Sequence, residues 1–237
     1  MKNKTELKIA WATNDAASFA CKKWHYSKCL PTGKLVKVGA WENNKFIGVV
    51  IFSRGASPFL LKKYNLTQIE GCELTRIALT KHETPVSRIM AIALKFLRKQ
   101  SPGLRLAVSF ADPEQGHHGG IYQATNWIYT GTSGVTIEYY VRGKWTHVRG
   151  AYATVKTNAK VKFKTRERRG KHRYLFPLDE TLREKFLGLS KPYPKRAPEA
   201  EDSMRPSSTR EVGGSSPTSA LHKNRVSHGK SKVLSAR

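Results

Sequence analysis

Cysteine is scarce in this chain. There are three, Cys21, Cys29 and Cys72, an odd number with no Cys-x-x-Cys spacing. That excludes a disulfide framework and a cysteine zinc site, and reduced thiols are expected. Acidic residues are scarce too, 17 Asp and Glu against 43 Lys and Arg, for a formal charge of +26 over 237 residues. Such an excess points to a polyanionic partner, nucleic acid first and an anionic membrane surface second, with a merely solubilising basic surface as the bland reading. No apolar run approaches the roughly 20 residues that span a bilayer. Met1-Lys2-Asn3-Lys4-Thr5-Glu6 leads into no apolar signal segment, so a cytoplasmic protein is expected. No Gly-x-Gly-x-x-Gly, Walker loop or internal repeat is present, which argues against a doubly wound nucleotide fold.

What is present reads as alternating short elements. Leu7–Trp11 suits a strand. Thr13, Asn14 and Asp15 offer capping side chains to a helix over 16–23. Leu35–Trp41 and Lys45–Phe52 flank Glu42-Asn43-Asn44, a hairpin signal. Residues 73–79 alternate polar and apolar, as a half-buried strand does. Thr84-Pro85 opens the clearest helix, with Val86, Ile89, Met90, Ala93, Leu94 and Leu97 on one face and Pro102-Gly103 at its end. Leu106–Phe110 is a buried strand, followed by a short helix ending near Trp127. Strands are expected at 127–130, 136–141 and 147–155. This order predicts an α+β fold with a mixed central sheet flanked by helices.

The organising stretch is 108–131. It leaves a strand at Asp112-Pro113 and crosses a Gly/His-rich turn, the usual place for a site in an open sheet. Asp112, Glu114, Gln115, His117, His118 and Tyr122 fall within eleven residues. The bland reading is a solvated turn. Two adjacent histidines on one helix do not share a face, so at most one of His117 and His118 is expected in a cleft. Residues 142–196 carry 17 Lys and Arg against 4 acids with aromatics interleaved, a composition suited to phosphates and unpaired bases. Within it, Lys160, Lys162, Lys164, Arg166, Arg168, Arg169, Lys171 and Arg173 form the expected backbone-contacting strip. The bland alternative is a charged β extension packed on the main domain. Residues 197–237, rich in Ser, Pro and Gly, are expected to be disordered. The implied division is 1–141 catalytic core, 142–196 basic extension and 197–237 tail.

Taken together, Trp24-His25-Tyr26-Ser27, Glu73-Leu74-Thr75-Arg76, Ser87-Arg88-Ile89-Met90, Phe110-Ala111-Asp112-Pro113 through Gly116-His117-His118-Gly119, and Tyr122-Gln123-Ala124-Thr125-Asn126-Trp127 resemble the Mom family of phage DNA-modification proteins. The likeness runs from about Trp11 to Arg196. It implies a fold similar to GNAT acetyltransferases and conversion of adenine N6 in double-stranded DNA to an N6-carbamoylmethyl amine, which blocks host restriction. Adenine N6 is buried in a duplex, so the target base is expected to be flipped out, and acetyl-CoA or another small donor is the expected cofactor. Acetyltransferases of this fold carry a Gln/Arg-x-x-Gly-x-Gly/Ala loop for the CoA pyrophosphate. Here that loop is Leu79 to Arg88, without glycine.

Asp112, at the strand end, suits a base or a metal ligand, or only an Asp-Pro turn. His25 and Tyr26, carried over the cleft by the fold, join it as catalytic candidates. The resemblance suggests that His25, Tyr26 and Asp112 hold a metal such as iron. Tyr122 occupies the place of an acid that protonates a leaving thiolate. Arg76, Ser87 and Arg88 are candidates for the cofactor phosphate. The rival readings are an acyl-CoA-dependent N-acetyltransferase, a non-catalytic basic DNA-binding protein and, last, a His-rich nuclease.

Overall fold

The structure, a computed structural model, describes residues 5–55, 57–157 and 162–195. Lys160 and the 197–237 segment lie outside them. Seven strands form one mixed sheet, residues 7–11, 35–42, 45–53, 71–79, 106–111, 172–177 and 128–132 in order across it, and three more form a small sheet, 144–147, 136–141 and 165–168.

Thr13 caps α1 (Asn14–Trp24) by accepting from Ala16 N–H at 3.2 Å. β1 (Leu7–Trp11), β2 (Leu35–Glu42) and β3 (Lys45–Ser53) pair antiparallel. The β2–β3 turn, Asn43-Asn44, has φ of 48° and 64°, the pair of left-handed positions that suits a twisted hairpin. β3 is buried from Ile47 to Ser53 and so reads as a continuous apolar run. Its alternate faces serve two layers. Val49 and Ile51 pack with Ala17, Ala20 and Cys21 of α1, whereas Val50 and Phe52 pack with α2 (Val86–Gln100). From α2, Ile89, Met90, Ala93, Leu94 and Leu97 are buried. Truncating one of the larger side chains to Ala costs about 2–5 kcal/mol.

β4 (Gly71–Leu79) and β5 (Leu106–Ala111) are parallel neighbours. α3 (Gly120–Gln123) is a single turn, followed by β6 (Ile128–Thr132). β7 (Thr136–Val141), β8 (Lys144–His147) and β9 (Thr165–Arg168) build the small sheet. Between β8 and β9 lies α4 (Val148–Thr157), where the reading above expected a strand. Its β-branched and aromatic residues favoured the strand reading, but buried Ala151 sits where a helical turn brings it against the sheet. β10 (His172–Pro177) enters the central sheet between β5 and β6, and α5 (Arg183–Leu187) follows with Phe186 buried against Tyr64.

The expected boundary at 141/142 therefore does not follow the sheets. β7, before it, belongs to the small sheet, and β10, well beyond it, is a core strand with Tyr174 and Leu175 fully buried. Charge density marked the boundary in the sequence, and charge describes surfaces, not sheet membership.

Candidate active site

β4 and β5 pair only from Gly71↔Leu106 to Leu74↔Ser109. Beyond that point they part, and a cavity of about 600 Å³ opens in the fork. Thr75, Arg76, Ile77 and Leu79 form one wall, and Phe110 and Ala111 the other. Consecutive residues of a regular strand cannot all face one side. Here a bulge allows it, because the β3–β4 register slips between Ile51 and Phe52 and leaves Thr75 as the extra residue. Gly116 to Tyr122 closes the far side, and His25, Tyr26, Leu74, His82 and Val86 complete the lining.

Tyr122 lies at the root of the fork. It is 8% exposed, packed against Trp127 and Tyr174, and its Oη stands 2.8 Å from Ser109 Oγ, which also reaches Leu74 O at 2.9 Å. Burial pushes its pKa up to about 12, with the Ser109 hydrogen bond opposing, so it keeps its proton at neutral pH. Gly119 places it there. Its φ is 87°, and a Cβ at this position would collide with the Tyr174 ring.

His25 follows α1 and is 8% exposed. Burial first, then the charges of Arg76, His117 and Lys28, lower its pKa to about 4, so the ring is neutral. The Ser27 N–H donates to its Nδ1 at 3.1 Å, which leaves the ring hydrogen on Nε2. His25 is thus a hydrogen-bond donor to the cleft. Tyr26 stacks on it with ring centroids 4.3 Å apart and lies 5.7 Å from the His117 ring. Both His117 and His118 line the cavity, contrary to the expectation of one. They stand on a loop between left-handed Gly116 and Gly119, not on a helix, so the helical face rule does not bind them.

His82, not singled out in the sequence, has the opposite polarity to His25. Its Nδ1 is 2.6 Å from Thr80 O, and a carbonyl can only accept. In its neutral form the ring therefore carries its hydrogen on Nδ1 and presents a lone pair on Nε2. No sequence pattern announces this, because the deciding partner is a main-chain oxygen.

Asp112 is elsewhere. Ala111, the last residue of β5, lines the cleft, whereas Asp112 just beyond it does not and is 1% exposed. Its Oδ2 accepts from Arg168 Nη2 at 2.5 Å and lies 3.3 Å from Lys171 Nζ. Arg168 also reaches Glu138 Oε1 at 3.0 Å and Glu114 Oε2 at 3.2 Å, so one guanidinium ties β9, β7 and the end of β5 together. A half-buried Arg with three carboxylates is a structural hub, its charge met by acids of the protein itself. Arg166 is also engaged, with Glu138 at 2.6 Å and over the Trp145 ring. Lys162, Lys164 and Arg169 are exposed, and Arg173 lies over Phe110.

These positions do not assemble the metal set His25, Tyr26 and Asp112. Asp112 is turned away to its cations, and His25 offers no free lone pair while Ser27 holds Nδ1. Among the described residues no group of three His, Cys, Asp or Glu is placed to hold a metal. The three phosphate candidates also separate. Arg76 lines the cleft, whereas Ser87 and Arg88 line a neighbouring groove with Lys95, Arg98 and Asn126. The helix before them starts at Val86 with Pro85 as its cap residue, one position later than expected and without a side-chain cap bond. Glu42 holds the preceding turn instead, accepting from the N–H of Glu83 at 3.0 Å and of Thr84 at 2.5 Å.

No helix among the described residues is long and apolar enough to cross a membrane. Solved structures to which the chain is similar include a GNAT-family acetyltransferase from Streptococcus pneumoniae (TM-score 0.41, 15% identity, 73% of this chain and 99% of that one). Others are a Bacillus subtilis acetyltransferase in complex with CoA (TM-score 0.40, 11% identity, 74% and 99%) and a Vibrio cholerae spermidine N-acetyltransferase in complex with CoA and spermine (TM-score 0.41, 10% identity, 74% and 98%). A protein of Escherichia phage Mu named methylcarbamoylase mom is 27% identical over 185 residues, covering 72% of this chain and 76% of that protein. The model of the Mom protein family matches residues 6–195, most of the length, and takes in both the fork and the small sheet: the chain belongs to the Mom protein family.

Proposed function

We propose that this protein is a phage DNA-modifying transferase that replaces a hydrogen on adenine N6 by a carbamoylmethyl group, acting in the host cytoplasm and shielding the DNA from restriction. The observation that carries the reading is the fork between β4 and β5. Its cavity of about 600 Å³ lies within the roughly 300–1,000 Å³ typical of ligand sites and opens beside exposed aromatic and imidazole rings.

Adenine N6 is paired inside a duplex, so the base must be extruded, at a cost of a few kcal/mol. Binding to the phosphates offsets that cost. Arg142, Lys144, Lys156, Lys162, Lys164 and Arg169 are exposed on the small sheet, α4 and their connections, within a chain of formal charge +26. Tyr26, 47% exposed, and His117 offer faces on which the extruded base stacks. The Nε2–H of His25 then donates to a ring nitrogen of the base. His82 Nε2, with its free lone pair, takes the N6 proton as the new N–C bond forms. Tyr122, still protonated, donates to the group that departs from the donor carbon. Asp112, expected to be the base, instead holds the small sheet in place through Arg168.

The test is restriction protection. DNA from cells expressing the wild-type chain should resist nucleases whose sites contain adenine and remain sensitive to those whose sites lack it. Equal cleavage by both, with the protein abundant and folded, rejects the reading. Protection by a His82→Gln variant equal to wild type would remove the base assignment alone.

A further inference from the structure

The small sheet has two unlike faces. α4 lies against one of them: a Cβ at Gly150 would stand 3.0 Å from Thr146 Cγ2, and Ala151 is fully buried. Thr146 and Trp145 are neighbours on β8, so their side chains point to opposite faces. The face away from Thr146 carries Trp145, its cross-strand partner Tyr140, then Glu138 two residues along β7, and Arg166 opposite Glu138 on β9. Tyr140 is 42% exposed and Trp145 37%.

These side chains brace one another. The Tyr140 and Trp145 rings meet edge to face with centroids 5.3 Å apart. Arg166 lies over the indole at 4.7 Å and donates from Nε and Nη2 to Glu138 Oε2, at 2.9 and 2.6 Å. Its charge is met within the sheet, and its plane is fixed by the indole and the carboxylate, yet the side chain is still 46% exposed. A guanidinium held in this way is a stacking surface for a base more than a clamp for a phosphate. Exposed Lys164, whose carbonyl accepts from Tyr140 N–H at 2.9 Å, adds a mobile cation at the edge of the rings, and Lys144 and Lys162 are exposed nearby in the chain. Open aromatic rings flanked by cations on a strand face match a single-stranded nucleic acid, because a duplex hides its base faces within the stack.

We infer that this face of the small sheet receives unpaired bases of the DNA, with Tyr140 and the Arg166 plane as stacking platforms and Trp145 positioning Arg166. The inference rests on DNA being the partner. It adds that the strand is open over more than the target adenine, and that a second stacking site exists apart from Tyr26 and His117.

The experiment is fluorescence anisotropy of the purified full-length protein with three labelled probes of equal length: oligothymidylate, an abasic strand of the same backbone, and a duplex. Thymine has no N6 amine, so oligothymidylate reads the platform and not the transfer site. Oligothymidylate is expected to bind at least about fivefold tighter than the abasic strand. Tyr140→Leu should erase about fivefold of that affinity, leave its salt slope unchanged and move duplex binding less than about twofold. In wild type, ultraviolet crosslinking of a 5-iodouracil strand, mapped by mass spectrometry, should place adducts on Tyr140 or Trp145, a result that does not depend on any variant folding. Equal binding of oligothymidylate and the abasic strand, a Tyr140→Leu protein of wild-type affinity, or crosslinks that avoid both rings overturns the platform while DNA binding stands. A dimer seen by light scattering and abolished by Tyr140→Leu would give the face to a second copy and overturn it as well. Failure to bind any of the three probes would overturn the DNA reading itself.

Discussion

Replacing Arg168 by Met separates a structural hub from a phosphate contact. The Arg168 side chain is 21% exposed, and the Asp112 and Glu138 side chains that it pairs are 1% and 6% exposed. Arg168→Met keeps the volume and removes the charge. It leaves two buried carboxylates with one cation each, Lys171 at 3.3 Å from Asp112 and Arg166 at 2.6 Å from Glu138. Breaking a buried pair costs about 3–5 kcal/mol, and the surviving cations place this case near 3. For a folded unit of this size that lowers Tm by about 6–12 °C. The assay is urea denaturation followed by circular dichroism, together with the salt dependence of DNA binding. Adding Asp112→Asn should cost less than it does in the wild type, with a coupling of about 0.5–3 kcal/mol. The DNA-binding slope against salt should hardly move. A stability loss under about 1 kcal/mol, with a salt slope reduced by about one unit, would show Arg168 to be a phosphate contact and refute the hub.

Three further expectations follow from the same geometry. Neutralising Lys162 and Lys164 together should reduce the salt slope of DNA binding by about two units without a change in Tm; an unchanged slope removes them from the interface. Tyr122→Phe should lower the turnover of DNA modification by about 10²–10⁴-fold while costing only about 1 kcal/mol of stability, and wild-type turnover would deny it the acid role. His25 titrates near 4 when folded and near 6.5 when unfolded, so between those values the unfolded chain binds a proton that the native chain refuses. Stability should rise across that window as pH increases, by about 2–4 kcal/mol more in wild type than in His25→Gln; identical pH profiles would reject the buried neutral ring.

Much of the core was legible because its signals are local. The Asn43-Asn44 turn between β-rich runs, the apolar stripe of α2 and the cap at Thr13 each depend on a few adjacent residues. Tyr122 was pointed to by the family resemblance, and the structure places it in the cavity lining. Asp112 was misplaced because β5 is buried on both faces, so no polar alternation tells which side is the cleft. β10 was missed because His172 and Arg173 continue the basic zone, and only pairing with β5 and β6 reveals Tyr174 and Leu175 as core. His82 and Glu42 escaped notice because their partners are main-chain atoms of a loop, which residue patterns do not encode. Arg168 looked like one more cation in a strip until three carboxylates from distant segments converged on it.

Mass spectrometry of nucleosides from the DNA of cells expressing this chain reads the central claim most directly. The account predicts a deoxyadenosine in which one hydrogen is replaced by a carbamoylmethyl group, and its loss with Tyr122→Phe. Unmodified deoxyadenosine in the presence of abundant folded protein, or deoxyadenosine carrying an acetyl group instead, would contradict it.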